Sequence, residues 1–426
     1  MNARIATAPG SRAERVQRVR SPAGVEAWLV EDYAVPLIAM EFAWRGGAAQ
    51  DPADKAGLAA MLAGLIDEGA GDYDSAAFHE ALDEHAIHLH FSADRDTLAG
   101  HFQTLSRNAD AAFDLLRLAV GHARLDEAPI ERVRAQLVAS LKREANDPES
   151  LVARTFRARA FPNHPYGQPP RGDMQTLARI ARPDLVDALA RLMARDNLVI
   201  GVVGAIDAAT LARRLDDTFA TLPEKATLKD VPRVEIGALG ERIVVDLDTP
   251  QSALRFGRPG LDRRDPDYYA GVVVNHVLGG GVFTARLFRE VREKRGLAYS
   301  VYSQLQNFEA AALVVGATST KNERAAESLQ VIEEQIADLG LNGPTEEELA
   351  KAKRYLVGSH ALHFDTSTKI AGQLLHLQLD GYEPAHLDRR NGLIENVALE
   401  DARRAAQRML GDGKLLVAVA GRPQGI

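Results

Sequence analysis

His85, His88 and His90 lie close together in the stretch 84–91, EHAIHLHF. On a strand, whose side chains alternate between faces, His88 and His90 project together and offer two imidazole nitrogens to a metal ion. No carboxylate on a matching helix face accompanies them, so a structural or surface role stands against a zinc site. His360 and His363, in SHALHF on the long helix of the second half, carry the same two readings. Arg292, in LFREVREKRGLAYSVYS, is a different kind of candidate. Arg289 has Glu293 and Glu290 has Lys294 four residues on, whereas the neighbours of Arg292 at three and four residues are Phe288, Arg289, Arg295 and Gly296. A helix-surface cation with no acid at those spacings lacks the usual local partner. Tyr299, seven residues later, reads on its own as one aromatic on a strand alternating with Ser300 and Val301. The run Gly279-Gly280-Gly281 has neither the spacing nor the Lys-Ser/Thr that cradles phosphate, and reads as a flexible turn ahead of a helix. GDGKLL around Lys414 fails likewise, because Leu415 stands where a hydroxyl is required. No Gly-x-Ser-x-Gly elbow supports a serine hydrolase.

The other informative stretch is one where chemistry is missing. Gly57 opens an apolar helix, GLAAMLAGLIDEG, through Gly69. A zinc site on such a helix needs imidazoles four residues apart on one face, beside a carboxylate that takes a proton from bound water. Together GLAAMLAGLIDEGAGDYDSAAF, IERVRAQLVASLKREANDP and REVREKRGLAYSVYS resemble the pitrilysin or insulinase-like M16 metallopeptidases, most closely the M16B type built from two unlike subunits. The resemblance implies an inverted motif, His-x-x-Glu-His, at the positions of Ala60, Ala63 and Gly64. It implies a third ligand, Glu, at Ser140, and a second family Glu at Val133, seven residues earlier. Methyl, hydrogen and isopropyl groups offer zinc no lone pair, and a lone serine hydroxyl is a poor ligand. In the noncatalytic half of this family an Arg and a Tyr seven residues apart correspond to Arg292 and Tyr299. There the pair reaches across a chamber to a peptide held at zinc, the tyrosine donating its hydroxyl to the developing oxyanion and the arginine holding the backbone.

The implied function is the zinc-free, substrate-binding subunit of a heterodimeric M16B metalloendopeptidase that hydrolyses peptides in a closed chamber. The chain is expected to be inactive alone and to hold no metal, with zinc and the intact motif in a catalytic partner, as a heterodimer or a dimer of heterodimers. The alternative is a non-enzymatic M16-like scaffold, and a third reading is an independent peptidase built on the histidine cluster.

The elements that must position these residues are written twice. Ala56-Gly57 returns as Ala270-Gly271, Pro129-Ile130-Glu131 as Pro344-Thr345-Glu346, and NLVIGVVG ending at Gly204 as KLLVAVAG ending at Gly421, at offsets of 214, 215 and 217. Three landmarks in one order argue for duplication. The vacant positions moved by 214 fall on Val274, Val277 and Leu278, so neither half supplies the motif. Each half opens with alternating strands (VEAWLVED and LIAMEFAWRGG; RIVVDLD and SALRFGRPG), continues through an amphipathic helix, a strand and long helices, and closes on an apolar strand. Thr345 and Glu348 form a capping box. The expected fold is α+β: two homologous α/β-roll domains, each a mostly antiparallel sheet with helices packed on one face, at 1–222 and 243–426, joined by a charged, proline-bearing linker at 223–242.

Composition sets outer bounds. The 426 residues, 46% apolar and 26% charged, suit a soluble globular chain of two or more domains. Lys plus Arg number 51 against 59 Asp plus Glu, and no basic run is dense enough to track phosphates, so nucleic acid is not an expected partner. The absence of cysteine removes disulfides, thiolate metal sites and a thiol nucleophile. No apolar run reaches the roughly 18 residues of a membrane span. The N-terminal MNARIATAPGSRAERVQRVR is charged and lacks the apolar core of a secretory signal. Because related chains are exported, a periplasmic mature form is expected, with the cytoplasm as the alternative.

Overall fold

The computed structural model describes residues 11–281 and 283–426; part of the N-terminal reading rests on residues 1–10, which lie outside that range. Among the described residues eleven strands form two sheets. The first takes β1 (Gln17–Arg20), β2 (Glu26–Glu31), β3 (Leu37–Arg45), β4 (His88–Ala93), β5 (Thr97–Leu105) and β6 (Leu198–Gly204), in the order β1-β2-β6-β3-β5-β4. The second takes β7 (Arg242–Asp246), β8 (Gln251–Pro259), β9 (Ala298–Asn307), β10 (Ala312–Lys321) and β11 (Leu416–Gly421), in the order β7-β11-β8-β10-β9. Without β1, the two orders are one topology. In each sheet a single parallel pair, β2 with β6 or β7 with β11, sits among antiparallel ones, and the parallel ladders end at Glu31–Gly204 and Asp246–Gly421. The duplication reaches individual contacts. A Cβ at Gly100 would run into the Phe42 ring on the neighbouring strand, and one at Gly316 into the Phe256 ring; only glycine leaves room for an aromatic crossing there.

Each sheet carries helices of its own half on one face, as expected. In the first half, helices Leu58–Ala63, Ala109–His122, Arg182–Leu192 and Ala208–Phe219 close a core around Phe42, Trp44, Phe102 and Phe219. The opposite face of each sheet is covered by one helix lent by the other half. Helix Pro148–Ala160 lays Leu151, Val152 and Phe156 on β8, β10 and β11, against Ala253, Val315 and Ala418. Helix Ser367–Leu379 reciprocates, with Ala371 and Leu374 against Trp28, Val30 and Val203 of β2 and β6. The main chain of Ala371 comes so close to β6 that only glycine fits at Gly201.

The exchange accounts for a departure from the sequence reading. β7, which opens the second half, alternates as expected, but the opening strands of the first half do not: β2 buries four consecutive residues and β3 all but three of nine, because strands covered on both faces read as apolar runs. Clean alternation survives in β4 and β5, at the far side of the sheet. Residues 223–241 form neither helix nor strand and lie on the protein. The Gln50 side chain donates to the Lys229 carbonyl at 3.0 Å, and the main-chain N–H groups of Val234 and Gly237 donate to the carbonyls of Ala310 and Ala160 at 2.9 and 2.8 Å. The capping box at Thr345 is present, with Glu348 N–H donating to Thr345 Oγ1 at 3.1 Å.

Candidate functional site

In the second half the site is built from two π-helical turns and one irregular strand. Helix Tyr268–Asn275 runs into a π turn, His276–Gly280, and a second π turn, Phe288–Glu293, carries Arg292. Such widened turns recur at functional sites because they rotate the following side chains out of helical register. The chain then reverses through Gly296, whose φ of +58° suits glycine, with the Gly296 and Leu297 N–H groups donating to the carbonyls of Arg292 and Val291 at 3.0 and 2.9 Å. It enters β9, the edge strand beside β10.

A β-bulge sets the direction of Tyr299. Val301 pairs with Thr318 and Ala298 with Thr320, so Tyr299 and Ser300 together oppose Ser319. The inserted residue breaks the alternation, and both Tyr299 and Ser300 face solvent; Tyr299 is 83% exposed. The nearly buried hydroxyls of Thr318 and Thr320 donate to the carbonyls of Ser300 and Leu297 at 2.8 and 2.6 Å, on either side of the bulge.

Arg292 and Tyr299 are thereby brought together. The guanidinium carbon lies 4.5 Å from the Tyr299 ring centroid and 4.8 Å from that of Phe288, a cation held between two π faces. Of the acids in the turn, Glu290 takes both Lys294 and Arg295 at 2.7 Å, while Arg289 faces Glu348 at 3.6 Å rather than Glu293. Among the described residues no carboxylate pairs with Arg292. The pair opens on a cleft of about 590 Å³ also lined by Phe288, Tyr302, Gly279 and Gly280. The glycine run is therefore not a free turn. Gly279 and Gly280 belong to the first π turn, and a Cβ on Gly279 would lie 2.6 Å from Ser303 Oγ, which itself donates to Asn275 Oδ1 at 2.9 Å. The lining holds neither imidazole nor carboxylate. It can donate hydrogen bonds through a phenol and a guanidinium, but it cannot take a proton from water.

In the first half the vacated positions are filled. The helix is only Leu58–Ala63, shorter than the sequence reading to Gly69, and ends at Gly64. Asp51 caps its start, accepting from the N–H groups of Gly57 and Ala59 at 2.9 and 3.0 Å, and burial pushes its carboxyl up to about 7. A Cβ at Gly64 would lie 3.2 Å from Val133 Cγ1, so the isopropyl group stands against the backbone where the resemblance puts a ligand. Ser140 Oγ donates to Glu144 Oε1 at 2.9 Å, and Arg171 Nη2 lies 2.8 Å from the same oxygen. The Arg171 main chain packs on Gly57 at the head of the helix. Arg171 thus touches the head of one helix with its main chain and the end of the other with its guanidinium. Among the described residues no group of three or more His, Cys, Asp or Glu side chains could hold a metal ion. Val274, Val277 and Leu278 are buried core.

The histidine clusters resolve separately. His88 and His90 share the exposed face of β4, where the His90 ring lies 4.8 Å from that of His101, which hydrogen-bonds Glu41. Burial and the neighbouring imidazoles hold His90 below its usual range. His360 and His363 lie beyond helix Glu346–Gly358, on a 3₁₀ segment, with the His360 ring 5.1 Å from that of Phe364. Asp51, Arg171 and the two bulge threonines escaped the sequence reading. The polar run Thr318-Ser319-Thr320 at the end of an otherwise apolar strand was the signal for the last pair.

No helix among the described residues is long and apolar enough to cross a membrane. Residues 42–173 match the family model for insulinase (peptidase family M16), and residues 179–356 match that for the peptidase M16 inactive domain. Among curated relatives, the non-peptidase homolog YmxG of Helicobacter pylori is 26% identical over 79% of this chain and 78% of its own length. The uncharacterized zinc protease YmxG of Bacillus subtilis is 25% identical over 91% and 96%. The solved peptidase M16 inactive domain from Pseudomonas fluorescens superposes with a TM-score of 0.90 at 26% identity, covering 96% of this chain and 98% of that one. A chain in the structure of complex III2 from Candida albicans shares the fold, with a TM-score of 0.81 at 16% identity over 96% of each. With its duplicated sheets and the two matching models, the chain belongs to the peptidase M16 family, and Ala60, Ala63, Gly64 and Ser140 stand where the resemblance puts the family's motif.

Proposed function

We propose that this chain is the substrate-binding subunit of a two-chain M16B zinc peptidase. The observation that carries the reading is the Arg292–Tyr299 pair, stacked without an acid partner and turned to solvent by a bulge, in a chain whose metal positions are crowded by Val133 and Arg171. A partner bearing His-x-x-Glu-His supplies zinc and the activated water. Tyr299 donates its hydroxyl to the peptide oxygen as it gains charge, and Arg292 holds the neighbouring backbone; donors of this kind contribute roughly 3 kcal/mol each to the rate. The test is cleavage of an unfolded peptide by an intact-motif M16B partner with and without this chain. Cleavage that needs both chains and falls on Arg292→Ala or Tyr299→Phe supports the reading, and a partner equally active alone removes it.

The shared fold with a chain of complex III2 supports a second reading, an assembly scaffold. It predicts a stable complex indifferent to both substitutions.

A further inference from the structure

A second cavity, of about 1010 Å³, opens between helices Glu127–Glu144 and Pro148–Ala160 and the segment 167–174. Its charged lining is strongly one-sided: Arg95, Lys142, Arg154, Arg157, Arg159 and Arg171 against Glu144 and Asp173. The acids are already engaged. Glu144 is held by Ser140 and Arg171, and Asp173 caps helix Met174–Arg179 through the N–H groups of Gln175 and Thr176. Arg159 is neutralised by Glu241, with both hydrogen bonds at 2.7 Å.

Arg157 is the anomaly. It is half-buried, and among the described residues it has no acid partner, whereas Arg95, Arg171 and Arg255 all stand near it. Burial and these like charges push its guanidinium down to about 9. Arg171 is paired with Glu144 and Arg95 has Asp94 and Asp96 near it, so Arg157 alone of the three lacks an acid. Arg95 lies 4.9 Å over the Phe308 ring with Nε unpartnered, and Arg255 lies 5.6 Å over Phe156. Holding the Arg157 guanidinium away from water without a counter-charge is unfavourable for folding, and a group perturbed in this way in a cleft marks a candidate site for an anion. The walls between the cations are apolar, from Leu141, Pro169, Pro170, Met174 and Ile243. A bare inorganic anion leaves those walls in water, whereas an organic ligand covers them.

We infer that this cavity binds an acidic peptide segment, with two or more carboxylates spaced by apolar side chains, through Arg157 and Arg154. The planar guanidinium fork matches a carboxylate in a two-point contact. The inference takes from the proposed peptide handling only the identity of the ligand. It needs neither partner nor zinc, so its failure and that of the peptidase reading are separable.

The experiment is fluorescence anisotropy on the isolated full chain at low salt, using a short labelled peptide alternating Glu and Leu, its Gln counterpart, and tripolyphosphate as competitor. The acidic peptide is expected to bind about tenfold more tightly than the Gln form, and Arg157→Met to weaken it about tenfold. Arg154→Gln, at an exposed position, should weaken it several-fold. Without peptide, Arg157→Met should melt a few degrees higher, since it removes an uncompensated buried charge. Equal binding of the Gln peptide, unchanged binding by both variants, a lower melting temperature for Arg157→Met, or displacement by tripolyphosphate at lower concentration than by unlabelled acidic peptide would each overturn the assignment.

Discussion

Arg292 stacks 4.5 Å from the centroid of the Tyr299 ring, and backbone devices rather than an ion pair hold the two together. One side is a π turn closed by Gly296; the other is a bulge flanked by two threonine hydroxyls. Because both functional groups reach solvent, removing them should change function and not folding. Tyr299→Phe is expected to lower the turnover of the two-chain peptidase by about 10²-fold and to shift unfolding free energy by less than ~0.5 kcal/mol. Steady-state kinetics beside urea denaturation checks this, and a destabilised Tyr299→Phe chain would contradict the solvent-facing placement.

The bulge yields a complementary expectation. Thr320 is 2% exposed and donates to the Leu297 carbonyl. Thr320→Val keeps the shape but leaves that carbonyl unpaired, at a cost of about 1–3 kcal/mol. It should also slow turnover despite its burial, because Tyr299 loses its fixed direction. Unaltered kinetics in a clearly destabilised variant would detach the bulge from function.

The exchanged helices make the halves interdependent. Phe156 and Leu374 are each almost fully buried against the sheet of the other half. Phe156→Ala should cost about 3–5 kcal/mol and Leu374→Ala about 2–5. Proteolysis within residues 223–241 should leave the two fragments associated, as read by size-exclusion chromatography. Fragments that separate and stay folded would argue that the borrowed faces are dispensable.

Restoring ligands should not restore the metal. In the triple variant Ala60→His, Gly64→His, Ser140→Glu, the glutamate introduced at Ser140 meets the Arg171 guanidinium already bound at Glu144, and the imidazole introduced at Gly64 crowds Val133. Metal analysis after dialysis should find little zinc until Arg171→Ala and Val133→Ala are added. Stoichiometric zinc in the triple variant alone would show that neither residue closes the site.

Asp51 gives a signed pH effect. Burial raises its folded pKa to about 7, above the unfolded value of roughly 4. Between those values the folded chain keeps a proton that the unfolded chain has released. The stabilisation from this group is therefore fullest below about pH 4 and declines as pH rises through 7, by up to roughly 4 kcal/mol. Denaturation of wild type and Asp51→Asn across this range should show the wild type losing ground as pH rises. Parallel profiles would mean that Asp51 is ionised throughout.

The repeat, the fold class and the emptiness of Ala60, Ala63, Gly64 and Ser140 were legible in the sequence, because ligand chemistry is a property of side-chain type and duplication leaves spacing behind. The isolation of Arg292 from local acids was legible too, since helical neighbours follow from numbering alone. Sequence reasoning fails where burial comes from the other half. β2 and β3 depart from the alternation expected of them because a helix more than 300 residues away covers their second face.

The sequence by itself determined the family resemblance, the missing ligands and the identity of the Arg–Tyr pair. Tertiary structure decided how these residues are placed. The bulge at Tyr299 and the Arg171–Glu144 bridge each join two neighbouring elements, and Arg95 meets Arg157 and Arg171 at one cavity from a distant part of the chain. Local periodicity carries no information about such meetings, because they arise only when strands pair and helices pack against one another.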